Sequence, residues 1–208
     1  MDAARLAQAR QNAADMARLL TKEDIAFLIQ CLYERADAVR YPAFLLLKAR
    51  SVIAEDVCPY WEEVAALLED KNSYRRNIAL WLIAENVRWA GTTAFKAVYP
   101  TYMARLQDEK FITVRQAIQA IPAWVPYAPA LAEQTAQQLL DMPLTPYRDS
   151  QRPLILADRV AALMVINRLA PSERVRTFIL DAITGGMLDS KRARAFKAEL
   201  DGELGRKT

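Results

Sequence analysis

Histidine is absent from the sequence. With it go the commonest general base and the commonest metal ligand, so no Ser-His-Asp or Cys-His pair can be assembled. Glycine is scarce as well. There are five in 208 residues, and Gly185, Gly186, Gly202 and Gly205 all lie near the end. Asn-Gly hairpin dipeptides do not occur and β-branched runs are few, which argues against a sheet. Cysteine is limited to Cys31 and Cys58, which read as buried, reduced thiols. No continuous apolar run opens the chain, where MDAARLAQARQNAADMARLL alternates Ala and Leu with Arg and Asp. That stretch is expected as a surface helix rather than a targeting segment. The longest apolar runs, AFLLL and IALWLIA, fall far short of the roughly 20 residues that span a bilayer. A soluble, cytoplasmic protein with no membrane partner is expected. Neither Gly-x-x-x-x-Gly-Lys nor Gly-x-Gly-x-x-Gly is present, so no phosphate-cradling loop and no cofactor is expected. The acidic pairs Glu62-Glu63 and Glu69-Asp70 lack ligand spacing, so no metal is expected either.

What remains is helix-forming material. Apolar residues make up 53% of the chain, and Ala and Leu dominate them. The net charge of +3 is unevenly spread. Residues 1–70 carry 8 Lys/Arg against 12 Asp/Glu, residues 71–132 carry 8 against 3, and residues 133–208 carry 12 against 10. The basic middle suits an anionic partner, and it equally suits a merely solvated surface.

Helix signals recur at short intervals. After a first helix over about residues 2–20, Thr21 opens a second with Asp24 in a capping-box position. Ile25, Leu28, Ile29 and Leu32 then form one apolar face. Asp37 is expected to cap a third helix, Pro59 to open a fourth, and Asn72 or Ser73 to cap a fifth that stops before Gly91. A sixth, over about residues 93–106, is expected to kink or break at Pro100. A seventh carries Val114, Ala117, Ile118 and Ile121 on one face and is expected to end or bend at Pro122. An eighth covers about residues 128–140, and DMPLTPYRDSQRP follows as the longest irregular segment. Three more helices complete the chain. One ends at Gly185-Gly186, and Asp189 caps the last.

Beyond the first helix these segments pair. The second helix of each pair begins near residues 38, 73, 111, 152 and 189, at offsets of 35, 38, 41 and 37 residues. That period is the range of two-helix solenoids. Arg-x-x-Ala supports the register at Arg40/Ala43, Arg76/Ala79 and Arg159/Ala162, and Arg115/Ile118 occupies the same place. Each arginine stands near a helix start, where the dipole disfavours a cation. Each also follows an aspartate: Asp37 before Arg40, Asp70 before Arg76, Asp108 before Arg115, and Asp149 before Arg152 and Arg159. The expectation is a ladder in which these aspartates cap helices and accept hydrogen bonds from the arginines, within one unit or from the next.

The stretches LLEDKNSYRRNIALWLIAE and RLQDEKFITVRQAIQAI, with weaker copies in ERADAVRYPAFLLL and LADRVAALMVINRL, resemble the HEAT-repeat family over about residues 21–203. HEAT units often carry an aspartate at the inter-helix turn and an arginine in the second helix. The Asp-to-Arg spacing varies here, and Arg115 lacks the alanine. The resemblance implies an all-α fold, an α-α superhelix of about five HEAT-like hairpins. Residues 1–20 would form a capping helix, 21–203 the repeats and 204–208 a frayed tail of a single domain, 1–208.

For function, the sequence points to a binding surface and to no catalytic residues. Aromatics and cations interleave in the central units. Arg75, Arg76, Trp81, Glu85, Arg88, Trp89, Arg115 and Trp124 are the candidate surface, with Trp89 and Trp124 favoured as exposed because they sit at helix ends. A non-enzymatic scaffold that binds a protein or peptide is the first expectation. The alternative is a nucleic-acid binder. Its enzymatic form would resemble the DNA-alkylation-repeat glycosylases. Trp81 and Glu85 would then stand one turn apart with Arg75 and Arg76 upstream, although that family uses aspartate and a different order.

Overall fold

The structure, a computed structural model, describes residues 3–204. Among these residues there are ten α-helices and no strand. They are α1 (Ala3–Ala17), α2 (Lys22–Cys31), α3 (Asp37–Ile53), α4 (Trp61–Ala66), α5 (Ser73–Ala104), α6 (Phe111–Trp124), α7 (Ala132–Asp141), α8 (Arg152–Leu169), α9 (Glu173–Thr184) and α10 (Ser190–Leu204). The chain divides into two compact units, residues 1–120 and 121–208. The boundary falls inside α6 and not in a linker, so no shift in composition marks it.

In the first unit α3 packs against α1, α2 and α5. Leu28, Ile29, Leu46, Leu47, Leu80 and Leu82 are fully buried there. Each contributes about 1.5–3 kcal/mol relative to exposure. The capping box at Thr21 is formed in both directions, at 3.2 Å each way. Asn72 caps α5 by accepting the Tyr74 amide at 2.9 Å. At α3 the cap is Ala36. Asp37 is already helical, and its carboxylate turns to Arg40 at 3.2 Å instead of capping.

Gly91, at φ 79° and ψ 167°, breaks α5 into segments 73–90 and 92–104. No side-chain-bearing residue adopts that backbone readily. The Tyr102 hydroxyl then donates to Leu80 O at 3.2 Å, so the second segment lies back against the first. Phe95, wholly buried, meets Trp61, Tyr99 and Tyr102 edge-on with ring centroids 6.5, 5.9 and 5.6 Å away. The expected break at Pro100 is not found. The backbone is helical there, and the turn is made at Gly91, which can bear the strain. α6 likewise runs past Pro122 to Trp124.

In the second unit α8 packs against α7, α9 and α10. Ile155, Leu163 and Ile166 of α8 are fully buried, as are Leu139 of α7 and Ile179 of α9. Gly186, at φ 74°, follows Gly185 at the end of α9 as a left-handed stop. The Asp189 carboxylate accepts the Arg192 amide at 2.9 Å at the start of α10.

The corners before α5 and α6 repeat closely. A 3-10 turn ends at Asp70 (φ −62°, ψ 143°) in one and at Asp108 (φ −62°, ψ 144°) in the other. Each aspartate then accepts the amide two residues on, Asn72 at 2.7 Å and Lys110 at 2.9 Å. The arginines reach back to the preceding corner. Arg40 donates to Glu34 O at 3.1 Å and Arg35 O at 3.4 Å, and Arg76 donates to Asp70 O at 2.8 Å and Lys71 O at 3.3 Å. Arg152 donates to Tyr147 O at 2.9 Å and Leu144 O at 3.2 Å, and pairs with Asp149 at 2.8 Å. Carbonyls left over at a corner thus accept hydrogen bonds from, and stabilise, a cation that the helix start alone would disfavour.

Three rungs differ from expectation. Arg76 bonds its carboxylate partner at Asp108, not Asp70, whose carboxylate takes Arg75 at 3.1 Å. Asp108 is filled by Arg76, Arg105 and the Lys110 amide, so Arg115 does not reach it and lies with its guanidinium 6.0 Å from the Phe111 ring centroid. Arg159, buried at 2% exposure, bonds Leu140 O at 3.2 Å and stacks 4.7 Å from the Phe178 centroid without a carboxylate partner among the described residues. The four residues one turn on from the arginines, Ala43, Ala79, Ile118 and Ala162, are all fully buried.

Candidate interaction groove

Helical spacing builds one face shared by α3, α5 and α6. Asp37, Tyr41, Phe44 and Lys48 recur at 3 or 4 residues along α3. Tyr74, Asn77 and Trp81 do the same along α5, and Gln116 and Gln119 along α6. These side chains line a groove of about 370 Å³ within the first unit. Rings and carboxamides dominate it.

The groove rings carry cations from the protein itself. Lys48 Nζ lies 3.3 Å from the Trp81 centroid, and the guanidinium carbon of Arg40 lies 5.3 Å from that of Tyr74. Arg10 sits 5.4 Å from Tyr41. Trp81 Nε1 donates to Gln116 Oε1, and Gln116 Nε2 donates to Gln119 Oε1 at 3.3 Å. A chain of amide dipoles therefore runs from the indole across α6. Asn77 also lines the groove, and its Oδ1 is buried with no hydrogen-bond partner among the described residues.

Glu85, one turn along α5 from Trp81, is 7% exposed and accepts from Arg88 at 3.2 Å. Burial pushes its carboxyl above the usual range, against the pull of Lys48 and Arg88. Burial likewise pulls the Lys48 ammonium down, and the charge of Glu85 holds it up.

Of the candidate surface residues, only Trp81 lines the groove. Arg75 bonds Asp70 and Tyr33 O, and Arg76 is buried at the corner. Arg88 donates to Val52 O at 3.1 Å and Trp89 to Ser51 O at 2.7 Å, so both tie α5 to the end of α3. Trp89 keeps 38% of its surface exposed. Trp124 corrects the expectation outright. It is fully buried, in the second unit, because α6 continues past Pro122 and carries the ring inward. Arg115 is half-buried on α6.

Lys48, Tyr74, Asn77, Gln116 and Gln119 escaped the sequence reading as site residues. Their signal was a polar and aromatic stripe at helical spacing on consecutive second helices. Among the described residues no group of acidic or cysteine side chains could hold a metal ion. Among them, too, no helix is long and apolar enough to cross a membrane.

No family model matches the chain, and no curated protein sequence does. Among solved structures it is similar to an engineered protein determined by the Northeast Structural Genomics Consortium, with a TM-score of 0.52 at 13% identity. The likeness covers 92% of this chain and 89% of that one. At that identity the similarity is one of fold alone: an all-helical, multi-helix architecture without strands.

Proposed function

We propose that the protein is a non-enzymatic, HEAT-like helical-repeat scaffold whose groove over α3, α5 and α6 binds an extended segment of another protein. The carrying observation is the groove lining, in which rings alternate with the carboxamides of Asn77, Gln116 and Gln119. A carboxamide offers one acceptor and two donors, the complement of a peptide main chain. Rings supply apolar contact at little entropic cost. The near-identical corners before α5 and α6 support the repeat reading, since they set successive second helices in one register.

The alternative, a nucleic-acid surface with or without base excision, needs cations free to meet phosphates. Arg40 is spent on corner carbonyls and Asp37, and Arg75 and Arg76 on Asp70, Tyr33 and Asp108. Glu85 is held by Arg88, away from the role of a free acid.

Photo-crosslinking tests the choice. A benzophenone amino acid at Tyr74, which is 64% exposed in the groove, is compared with one at Leu180, 42% exposed in the second unit. Polypeptide adducts specific to position 74, each mapping to one short segment, are expected. Nucleic-acid adducts at position 74, or the same adducts from both positions, would overturn the reading.

A further inference from the structure

Three charged side chains line the groove, and two of them are answered. Arg40 donates to Glu34 O, Arg35 O and Asp37, and Asp37 accepts from Arg40. Lys48 is the exception. It is half-buried, makes no ion pair within 4 Å and donates no hydrogen bond among the described residues. Its ammonium rests on the Trp81 face, and the carboxylate whose charge acts on it, Glu85, already accepts from Arg88 at 3.2 Å. A cation–π contact uses the charge of an ammonium but not its three N–H donors. A desolvated ammonium with unmet donors is costly to hold and rewards an arriving acceptor.

We infer that the groove selects an acidic peptide. An aspartate or glutamate carboxylate of the ligand docks on Lys48 Nζ. The inference rests on the groove being a peptide site. Charge complementarity carries it. The lining presents Lys48 and Arg40 against Asp37, and of the two cations Lys48 is the one with no hydrogen bond or ion pair among the described residues. A single open ammonium among neutral carboxamides suits one carboxylate held in register. It does not suit a phosphodiester strand, which needs a row of cations.

The test is a selection. A random 12-residue peptide library displayed on phage is panned on the intact chain. Enriched sequences are then synthesised and titrated against the parent protein, Lys48→Gln, Lys48→Arg and Tyr74→Ala. The thermal midpoint of each variant is checked. Enriched peptides should carry Asp or Glu at one fixed position beside an apolar residue. Their affinity should fall about tenfold or more in Lys48→Gln, the loss expected for one charge-assisted bond, and recover in part in Lys48→Arg. Peptides that need Tyr74 but lack an acidic position, or that bind Lys48→Gln unchanged, would overturn the acidic specificity and leave the groove reading standing. Peptides indifferent to Tyr74→Ala, or no enrichment at all, would overturn both. A fluorescent 12-nucleotide oligothymidylate whose binding is lost in Lys48→Gln would reassign Lys48 to phosphate and overturn the proposal.

Discussion

Arg76 and Asp108, 32 residues apart, meet in a two-pronged pair, with Nε and Nη2 at 2.8 and 2.7 Å from the two carboxylate oxygens. Both side chains are out of solvent, at 6% and 1% exposure. Arg76 also holds the carbonyls of Asp70 and Lys71, so one guanidinium bolts the corner before α5 to the corner before α6. Breaking a buried pair by removing one member leaves the other uncompensated, at about 3–5 kcal/mol. Asp108→Asn should therefore lower the urea unfolding free energy by roughly 3 kcal/mol. Asp149→Asn, at a carboxylate 93% exposed, should change it by less than about 0.5 kcal/mol. Equal effects from the two would refute the asymmetry.

The same pair sets an acid limit. Burial pushes the Asp108 carboxyl up, but hydrogen bonds from Arg76 and the Lys110 amide, with the charges of Arg76 and Arg105, more than reverse this and leave it below its ordinary value. A carboxylate lowered by folding stabilises the native state above its unfolded pKa, and that stability is lost as pH falls through the folded pKa. Stability should thus decline as pH drops below about 4, with a shallower decline in Asp108→Asn. Unfolding free energies measured from pH 6 to pH 2.5 for both proteins would show it. Parallel curves would contradict it.

Gly91 is a backbone hinge with open space beside it, since a Cβ added there meets nothing within 4 Å. Its cost on substitution is therefore purely conformational. Gly91→Ala should destabilise by about 1–3 kcal/mol, and Gly91→Asn by no less than about 1 kcal/mol, because ψ of 167° lies outside the left-handed helical region that asparagine tolerates. Thermal or urea unfolding decides this. A neutral Gly91→Ala would mean that the two segments of α5 accept another turn.

Both thiols should be sluggish. Burial, then the charge of Glu34, pushes Cys31 up; burial, then Glu55, does so for Cys58. At pH 8 less thiolate forms, so iodoacetamide should alkylate both more slowly than free cysteine. Cys58, half-buried, should lead Cys31, which is 4% exposed. Timed mass spectrometry of the native protein reads the order of addition. Rapid labelling of Cys31 would contradict its burial.

The helices were legible because their apolar residues recur at 3.6, and Thr21 and Asp24 announced their box three residues apart in a manner that local chemistry enforces. The corner aspartates were legible too. Their partners were not. Chain proximity assigns Asp108 to Arg115, whereas the structure gives it to Arg76, since a guanidinium at the start of α5 reaches the following corner while Arg115 faces Phe111. Trp124 misled for a related reason. Pro122 reads as a stop, but a proline near the end of a helix costs one hydrogen bond that burial of the ring outweighs. The groove stripe on Lys48, Asn77 and Gln116 stayed hidden because no single helix shows it, and only adjacency of α3, α5 and α6 makes it a surface.

Arg159 completes the contrast with Arg76. Both follow the same sequence pattern and both are buried, yet among the described residues Arg159 has the Leu140 carbonyl and the Phe178 ring, and no carboxylate, to offset its charge. Burial pulls its pKa down to about 10, with Tyr147 opposing. A guanidinium does not lose its proton near neutrality, so the physical content is a desolvation cost carried by the folded state. Removing Arg76 takes from the buried Asp108 its two-pronged partner, leaving Arg105 and the Lys110 amide, and strands the carbonyls of Asp70 and Lys71; removing Arg159 strands one carbonyl and relieves that cost. Arg76→Met should therefore destabilise by roughly 3 kcal/mol, while Arg159→Met should fall within about 1 kcal/mol of the parent in either direction. Urea unfolding of the two variants side by side measures the difference. A loss at Arg159 as large as that at Arg76 would mean that the guanidinium has an anionic partner of its own.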